Sequence, residues 1–324
     1  MKVINFLNLS LIISVVVLAG CGTSNYYKSL EKGPVGRIYF DSLTIDQTQF
    51  LQGVKKGKKV KLFGDLNFPE STKGKIPAVI LVHGSAGVSK RELNWALEIR
   101  QLGFATFVID CFTPRGIRST AEEQFQLKST SMIKDAYKAL EILSTHPKID
   151  SSRIAIMGFS KGGIVSLYSS LYRFYRNHGP QKVIFAAHIS FYPSCSYTFI
   201  DELDTSFRPI RIFIGTEDDY VGLTDCEEYV EKLKRIGKNA EIIKFRGAKH
   251  QFDNPTSPNI YLPKIMNLSK CKMVEEKEGV IVDKDTGEKF SPKAKCIYQG
   301  AHIGYNEESF NEAKNILTKF LTGL

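Results

Sequence analysis

Two rhythms of apolar and polar residues alternate along this chain. Near its start, "GRIYFDSL" (36–43) and "KKVKLFGDLNFP" (58–69) switch face at every residue, the period of half-buried strands, and predict an antiparallel hairpin region. Continuous apolar runs follow: "IPAVILVHG" (76–84), "FATFVID" (104–110), "RIAIMG" (153–158), "KVIFAAHISFYP" (182–193), "RPIRIFIG" (208–215) and "NAEIIKFRG" (239–247). Strands covered on both faces read this way. Helical spacing fills the intervals, in "RELNWALEIRQLG" (91–103), "TSMIKDAYKALEILSTH" (130–146), "GIVSLYSSLYRFYR" (163–176) and "TDCEEYVEKLKRIG" (224–237), and "NEESFNEAKNILTKFLTG" (306–323) ends the chain. Strand and helix in alternation predict an α/β fold, with a mostly parallel twisted sheet, helices on both faces and an antiparallel N-terminal edge. One domain over 36–324 is expected, with a charged excursion at about 252–303.

Composition changes this picture little. Of 324 residues, 43% are hydrophobic and 24% charged, which is globular usage. The formal charge of +10 raises nucleic acid or an anionic membrane as partners. The lysines are scattered, however, and the densest cluster, "VKKGKKVK" (54–61), reads as a hairpin turn with solvated flanks, so no nucleic-acid partner is expected.

The first residues change it more. "MKVINFLNLSLIISVVVLAGCGTS" has one basic residue, Lys2, then an apolar run too short to span a membrane, then small residues, as a signal peptide has. Leu18-Ala19-Gly20-Cys21 resembles the lipobox of bacterial lipoproteins. The resemblance implies removal of 1–20, acylation of Cys21 (diacylglycerol, palmitate), a tether over 21–35 and a membrane-anchored place in the bacterial cell envelope. By the same analogy Gly22 favours the periplasmic face of an outer membrane, where the organism has one. Export also makes disulfides durable. Five cysteines remain, so at least one is unpaired within the chain. Cys271 and Cys296 flank the solvated "KMVEEKEGVIVDKDTGEKFSPKAK", read as a hairpin turning at Asp285-Thr286-Gly287; a bridge between them would close an excursion with little core of its own. Cys111, Cys195 and Cys226 are left unassigned. No paired spacing points to a metal, and no cofactor is expected.

Reactive groups in open α/β sheets collect at the carboxyl ends of strands. After 153–157 stands Gly158-Phe159-Ser160-Lys161-Gly162, a Gly-x-Ser-x-Gly turn between strand and helix. After 208–214 come Glu217, Asp218 and Asp219; after 239–246 comes His250; after 77–82 comes "HGSAG" (83–87). The order Ser, acid, His is that of a nucleophile elbow with its partners. "LVHGSAG", "VIDCFTPRG", "HPKIDSSRIAIMGFSKGG", "GTEDDYVG" and "GAKHQFDN" together resemble the dienelactone-hydrolase-like branch of the α/β-hydrolases, over roughly residues 60–255 and the last helix. One departure stands out: dienelactone hydrolases proper use a cysteine nucleophile, and position 160 is serine. The resemblance therefore implies fold and triad rather than a lactone as substrate.

On that reading Ser160 attacks an ester carbonyl, His250 moves its proton and Asp218 orients His250, with Asp219 and Glu217 as competing acids and Asp253 as a remote one. The family's Gly-x-x-Asp spacing from Gly215 selects Asp218. The backbone N–H groups of Lys161 and Ser85 (or Ala86) would hold the oxyanion. His83 shapes its turn, His188 is a satisfied core histidine, and Arg115 either meets a substrate carboxylate or only ties loops together. Pocket walls are expected from 85–95, 111–128, 194–206 and 252–303. The expected function is a serine carboxylesterase on small or medium acyl esters or lactones. The alternatives are a peptidase of the oligopeptidase type and a non-catalytic envelope lipoprotein of the same fold.

Overall fold

The computed structural model describes residues 26–277 and 279–324. The expected signal peptide, Cys21 and the first part of the expected tether lie outside the described residues. In chain order the elements are β1 (Gly36–Thr44), α1 (Gln47–Leu51), β2 (Lys58–Asn67), β3 (Ile76–Val82), α2 (Lys90–Gln101), β4 (Ala105–Asp110), α3 (Ser129–Leu143), β5 (Ile149–Phe159), α4 (Lys161–Tyr168), α5 (Tyr172–His178), β6 (His188–Phe191), β7 (Tyr197–Thr198), β8 (Ile210–Gly215), α6 (Thr224–Arg235), β9 (Ala240–Phe245), β10 (Ile260–Asn267), β11 (Met273–Lys277), β12 (Val280–Asp283), β13 (Tyr298–Ile303) and α7 (Glu307–Thr322).

Eight strands form the main sheet in the order β1-β2-β4-β3-β5-β6-β8-β9. β1 pairs antiparallel with β2, and β2 with β4; every later pairing is parallel. This is the expected α/β-hydrolase arrangement, and its cause is visible in the sequence. Ala78 to Val82 and Ile154 to Met157 are almost wholly buried, as strands between two helical layers must be. β1 and β2 instead alternate buried and exposed positions and form the edge.

Several elements differ from the sequence expectation. The helix expected over 163–176 is two, α4 and α5. Between them Ser169 and Ser170 turn their hydroxyls back onto the carbonyls of Ser166 and Leu167, a competition that weakens a continuing helix. The backbone there bonds the 204–206 loop instead, through Tyr172 N to Asp204 O and Ser206 N to Ser170 O. The apolar run 182–193 yields only β6, because Phe185 to Ala187 are buried on the way into the sheet before strand pairing of β6 begins at His188. Between β1 and β2 the short helix α1 appears, capped by Asp46 Oδ1, so the lysine cluster lies on a helix-to-strand connection and not a tight turn. The described end of the expected tether is no free tether: Tyr27 N bonds Tyr39 O, Leu30 N bonds Thr145 Oγ1, and the Leu30 side chain is fully buried.

The excursion at 252–303 is ordered by strands. β10 pairs antiparallel with β13, while β11 pairs antiparallel with β12 and parallel with β7. The hairpin β11–β12 turns near Gly279; the expected turn at 285–287 also forms, further on, with Gly287 N on Asp283 O. Cys271 and Cys296 are bridged, as expected, and a second bridge joins Cys195 to Cys226. Cys111 is free and buried. A buried ion pair between Glu275 of β11 and Arg173 of α5 fixes the excursion to the body.

Candidate active site

Three strand ends bring Ser160, His250 and Asp218 together. Ser160 follows β5 with φ 53° and ψ −114°, a left-handed conformation that a serine adopts only when its surroundings hold it. The neighbouring glycines explain how. A Cβ on Gly158 would lie 1.9 Å from Gly162 O, and one on Gly162 would lie 2.1 Å from Val82 O. The turn is therefore packed backbone to backbone, and Ser160 N is fastened to Phe191 O at 2.9 Å.

His250 Nδ1 lies 2.8 Å from Asp218 Oδ2, and His250 Nε2 lies 3.0 Å from Ser160 Oγ. A carboxylate only accepts, so Nδ1–H donates to it and Nε2 is left to accept from the serine O–H. The second Asp218 oxygen accepts from the N–H groups of Tyr220 and Val221. Asp218 and His250 are both buried. His250 stands between two aromatic rings, with Tyr192 at 4.5 Å and Tyr220 at 4.8 Å between ring centroids. The end of the excursion holds its backbone, through Gly304 N to His250 O. Of the competing acids, Asp219 bonds His302 of β13, Glu217 is exposed, and Asp253 accepts from Tyr192 and Trp95.

A cavity of about 70 Å³ opens on Ser160. Each of the four expected loops lines it: Ser85 from the first, Gln124, Phe125 and Lys128 from the second, Ser194 and Tyr197 from the third, and Met266, Leu268, Met273 and Phe290 from the excursion. Lys161 is the first residue of α4, so its N–H has no partner within the helix. The Ser85 carbonyl is held by Thr120 N and Ser119 Oγ, and its hydroxyl donates to Gln124 Oε1. Both expected oxyanion residues thus stand beside Ser160 in the cavity wall.

The Lys161 side chain was not singled out in the sequence. Its Nζ is buried and donates to Thr120 Oγ1 and Gln124 O, with no carboxylate partner among the described residues. Burial pulls its pKa down to about 7, helped by nearby Lys128, which burial itself lowers to about 8.

Arg115 is a correction. It does not line the cavity; its guanidinium is paired with the fully buried Asp135 and also bonds Thr44 Oγ1 and Cys111 O. It ties β1, the loop after β4 and α3 together, and removing one partner of such a buried pair typically costs about 3–5 kcal/mol. His83 shapes its turn as expected, donating from Nδ1 to Gly84 O and accepting at Nε2 from Cys111 N. His188 is a core histidine whose Nδ1 meets Ser166 O; burial lowers its pKa to about 4.

Sequence reasoning missed Tyr192, Tyr220 and Gln124. Tyr192 had a findable signal, because it directly follows β6 at a strand end, where reactive groups collect. Gln124 had none: its Nε2 reaches Tyr220 OH across 96 positions of chain.

Known proteins resemble this chain in sequence and in fold. The model of the Dienelactone hydrolase family matches residues 64–280, more than half of the chain. A Bradyrhizobium sp protein named "Probable 2-oxo-3-(5-oxofuran-2-ylidene)propanoate lactonase" is 23% identical over 194 residues, 55% of this chain and 74% of that protein. The crystal structure of a dienelactone hydrolase-like promiscuous phosphotriesterase from metagenomic libraries superposes with a TM-score of 0.57 at 15% identity, covering 89% of this chain and 99% of that one. At that identity the likeness is one of fold.

Proposed function

From the premise that this chain belongs to the Dienelactone hydrolase family, and so to hydrolases of esters or lactones, we propose that it is a serine carboxylesterase or lactonase working through an acyl-enzyme on Ser160. The observation that carries this reading is the unbroken chain Asp218–His250–Ser160, which ends at Ser160 in the wall of a cavity. His250 Nε2 takes the proton as Ser160 Oγ attacks the carbonyl carbon. Asp218 stabilises the imidazolium. The N–H groups of Lys161 and Ser85 receive the developing oxyanion, each such donor being worth about 3 kcal/mol. The leaving alkoxide takes the proton from His250, and water then reverses the sequence to free the acid. For a lactone the acid and alcohol remain one molecule.

The cavity is small, which favours short acyl groups. Lys128 and Lys161 line it and, among the described residues, no acidic side chain does. This supports an ester or lactone that itself carries a carboxylate, the kind of substrate named for the Bradyrhizobium relative. The test is a substrate series: p-nitrophenyl acetate, butyrate and a glutarate half-ester against short aminoacyl amides. The reading expects ester turnover well above amide turnover. Faster amide turnover would assign the site to a peptidase instead.

On the N-terminal pattern alone we further propose that Cys21 is acylated after removal of 1–20 and holds the enzyme at a bacterial envelope. Mass spectrometry of the mature N-terminus from a bacterial host tests this; an unmodified Cys21, or retention of residue 1, refutes it.

A further inference from the structure

Behind His250 lies a buried polar network that the reaction above does not use. Asp253, three residues beyond the histidine, is 1% exposed. Its Oδ2 accepts from Trp95 Nε1 at 2.7 Å and its Oδ1 from Tyr192 OH at 2.6 Å. Tyr192 OH in turn accepts from Arg91 Nη1 at 3.1 Å. Arg91 is ion-paired with Glu92, and its guanidinium lies 4.7 Å over the ring of Phe159, the residue before Ser160. Tyr192 itself has φ 39°, a conformation few side chains tolerate.

Both Asp253 oxygens accept, and the tyrosine hydrogen points at one of them. Burial pushes the Asp253 carboxyl above its ordinary value, against the pull of Arg91 and of these two donors. The two donors hold the side chain in one orientation, since turning it would leave a buried N–H or O–H without an acceptor.

We propose that Asp253 and Tyr192 are positioning residues for His250. The Asp253 side chain orients the tyrosine, and the tyrosine ring holds the imidazole in line between Asp218 and Ser160. The network links the elbow, the strand end after β6 and the histidine loop. The other groups facing His250 are Tyr220, in an edge-to-face contact, Ser160 and Asp218; Lys161 and Lys128 line the cavity.

This inference rests on the hydrolase reading, and the test separates the two. Fluorophosphonate labelling of Ser160 and the kcat and KM of ester turnover are measured for the wild type, Asp253→Asn and Tyr192→Phe. A wild type that neither labels nor turns over an ester sinks the hydrolase reading itself. With a reactive wild type, Asp253→Asn is expected to label about tenfold more slowly. Its kcat for ester turnover should fall by a similar factor with KM little changed, because the substrate binds as before while the histidine is misplaced. Tyr192→Phe keeps the ring and loses the link to Asp253, so it should slow labelling and kcat too, by a smaller factor. It also decides the matter if Asp253→Asn does not fold. A lowered melting temperature with labelling rate and kcat unchanged would show that the network only stabilises the fold, and would overturn the proposal.

Discussion

The elbow side and the excursion side of the cavity are built on opposite principles. Ser160, His250 and Asp218 stand at the ends of strands β5, β9 and β8, whose backbones are locked into one parallel sheet. Met266, Leu268, Met273 and Phe290 reach the same cavity from an excursion with two small sheets of its own, fixed by a disulfide, a buried ion pair and a strand pairing of two residues. The first side fixes the reacting atoms through strand backbone and the hydrogen bonds between them; the second supplies apolar surface whose exact shape matters less to the bond being broken. Chemistry should therefore depend on the first side and selectivity on the second.

The largest effects are expected on the elbow side. Ser160→Ala should lower kcat by roughly 10⁴-fold or more, and Asp218→Asn by about 10²- to 10⁴-fold, in each case with little change in KM. A drop in kcat of less than tenfold for Asp218→Asn would mean that another acid orients His250. On the excursion side, Met273→Ala and Phe290→Ala should leave p-nitrophenyl acetate turnover within about twofold. For butyrate they should raise KM by roughly three- to tenfold, the scale of one or two methylenes in an apolar pocket. Equal losses on both esters would erase the proposed division of labour.

Smaller effects sharpen the comparison. Cys271→Ser with Cys296→Ser removes a bridge closing 25 residues of chain separation. Such a bridge is typically worth about 2–4 kcal/mol, so the excursion should become readily cleaved by protease while acetate turnover persists. Last comes pH. Lys161 and Lys128, held down to about 7 and 8 by burial, lose their charge as pH rises from 6 to 9. The ratio of glutarate half-ester to butyrate turnover should fall by roughly three- to tenfold over that range, because an anion in the cavity loses its cations. Any pH effect common to the two esters cancels in the ratio.

Legibility followed the same division. The buried strands announced themselves as continuous apolar runs, and the residues at their ends gave Ser160, His250 and Asp218, which the structure brings into hydrogen-bonding distance. Arg115 was readable only as one of two possibilities, since an arginine after a strand looks the same whether it faces solvent, substrate or, as here, Asp135. The break between α4 and α5 was hidden because Ser169 and Ser170 suit a helix until a loop 35 residues later offers their backbone other partners. The excursion strands were read only as a charged hairpin: β10 carries exposed residues on both faces, so it lacks the alternation that betrays a strand. The network of Arg91, Tyr192 and Asp253 joins positions too far apart in sequence for any spacing to reveal.

The central claim is that Ser160 is a nucleophile activated by His250, and one measurement bears on it most directly. Folded protein is treated with a fluorophosphonate, digested and mapped by mass spectrometry, alongside His250→Ala. The account predicts a single adduct on Ser160 in the wild type, formed at least a hundredfold more slowly in the variant. An unlabelled Ser160 in folded wild-type protein, or equal labelling with and without the histidine, would contradict it.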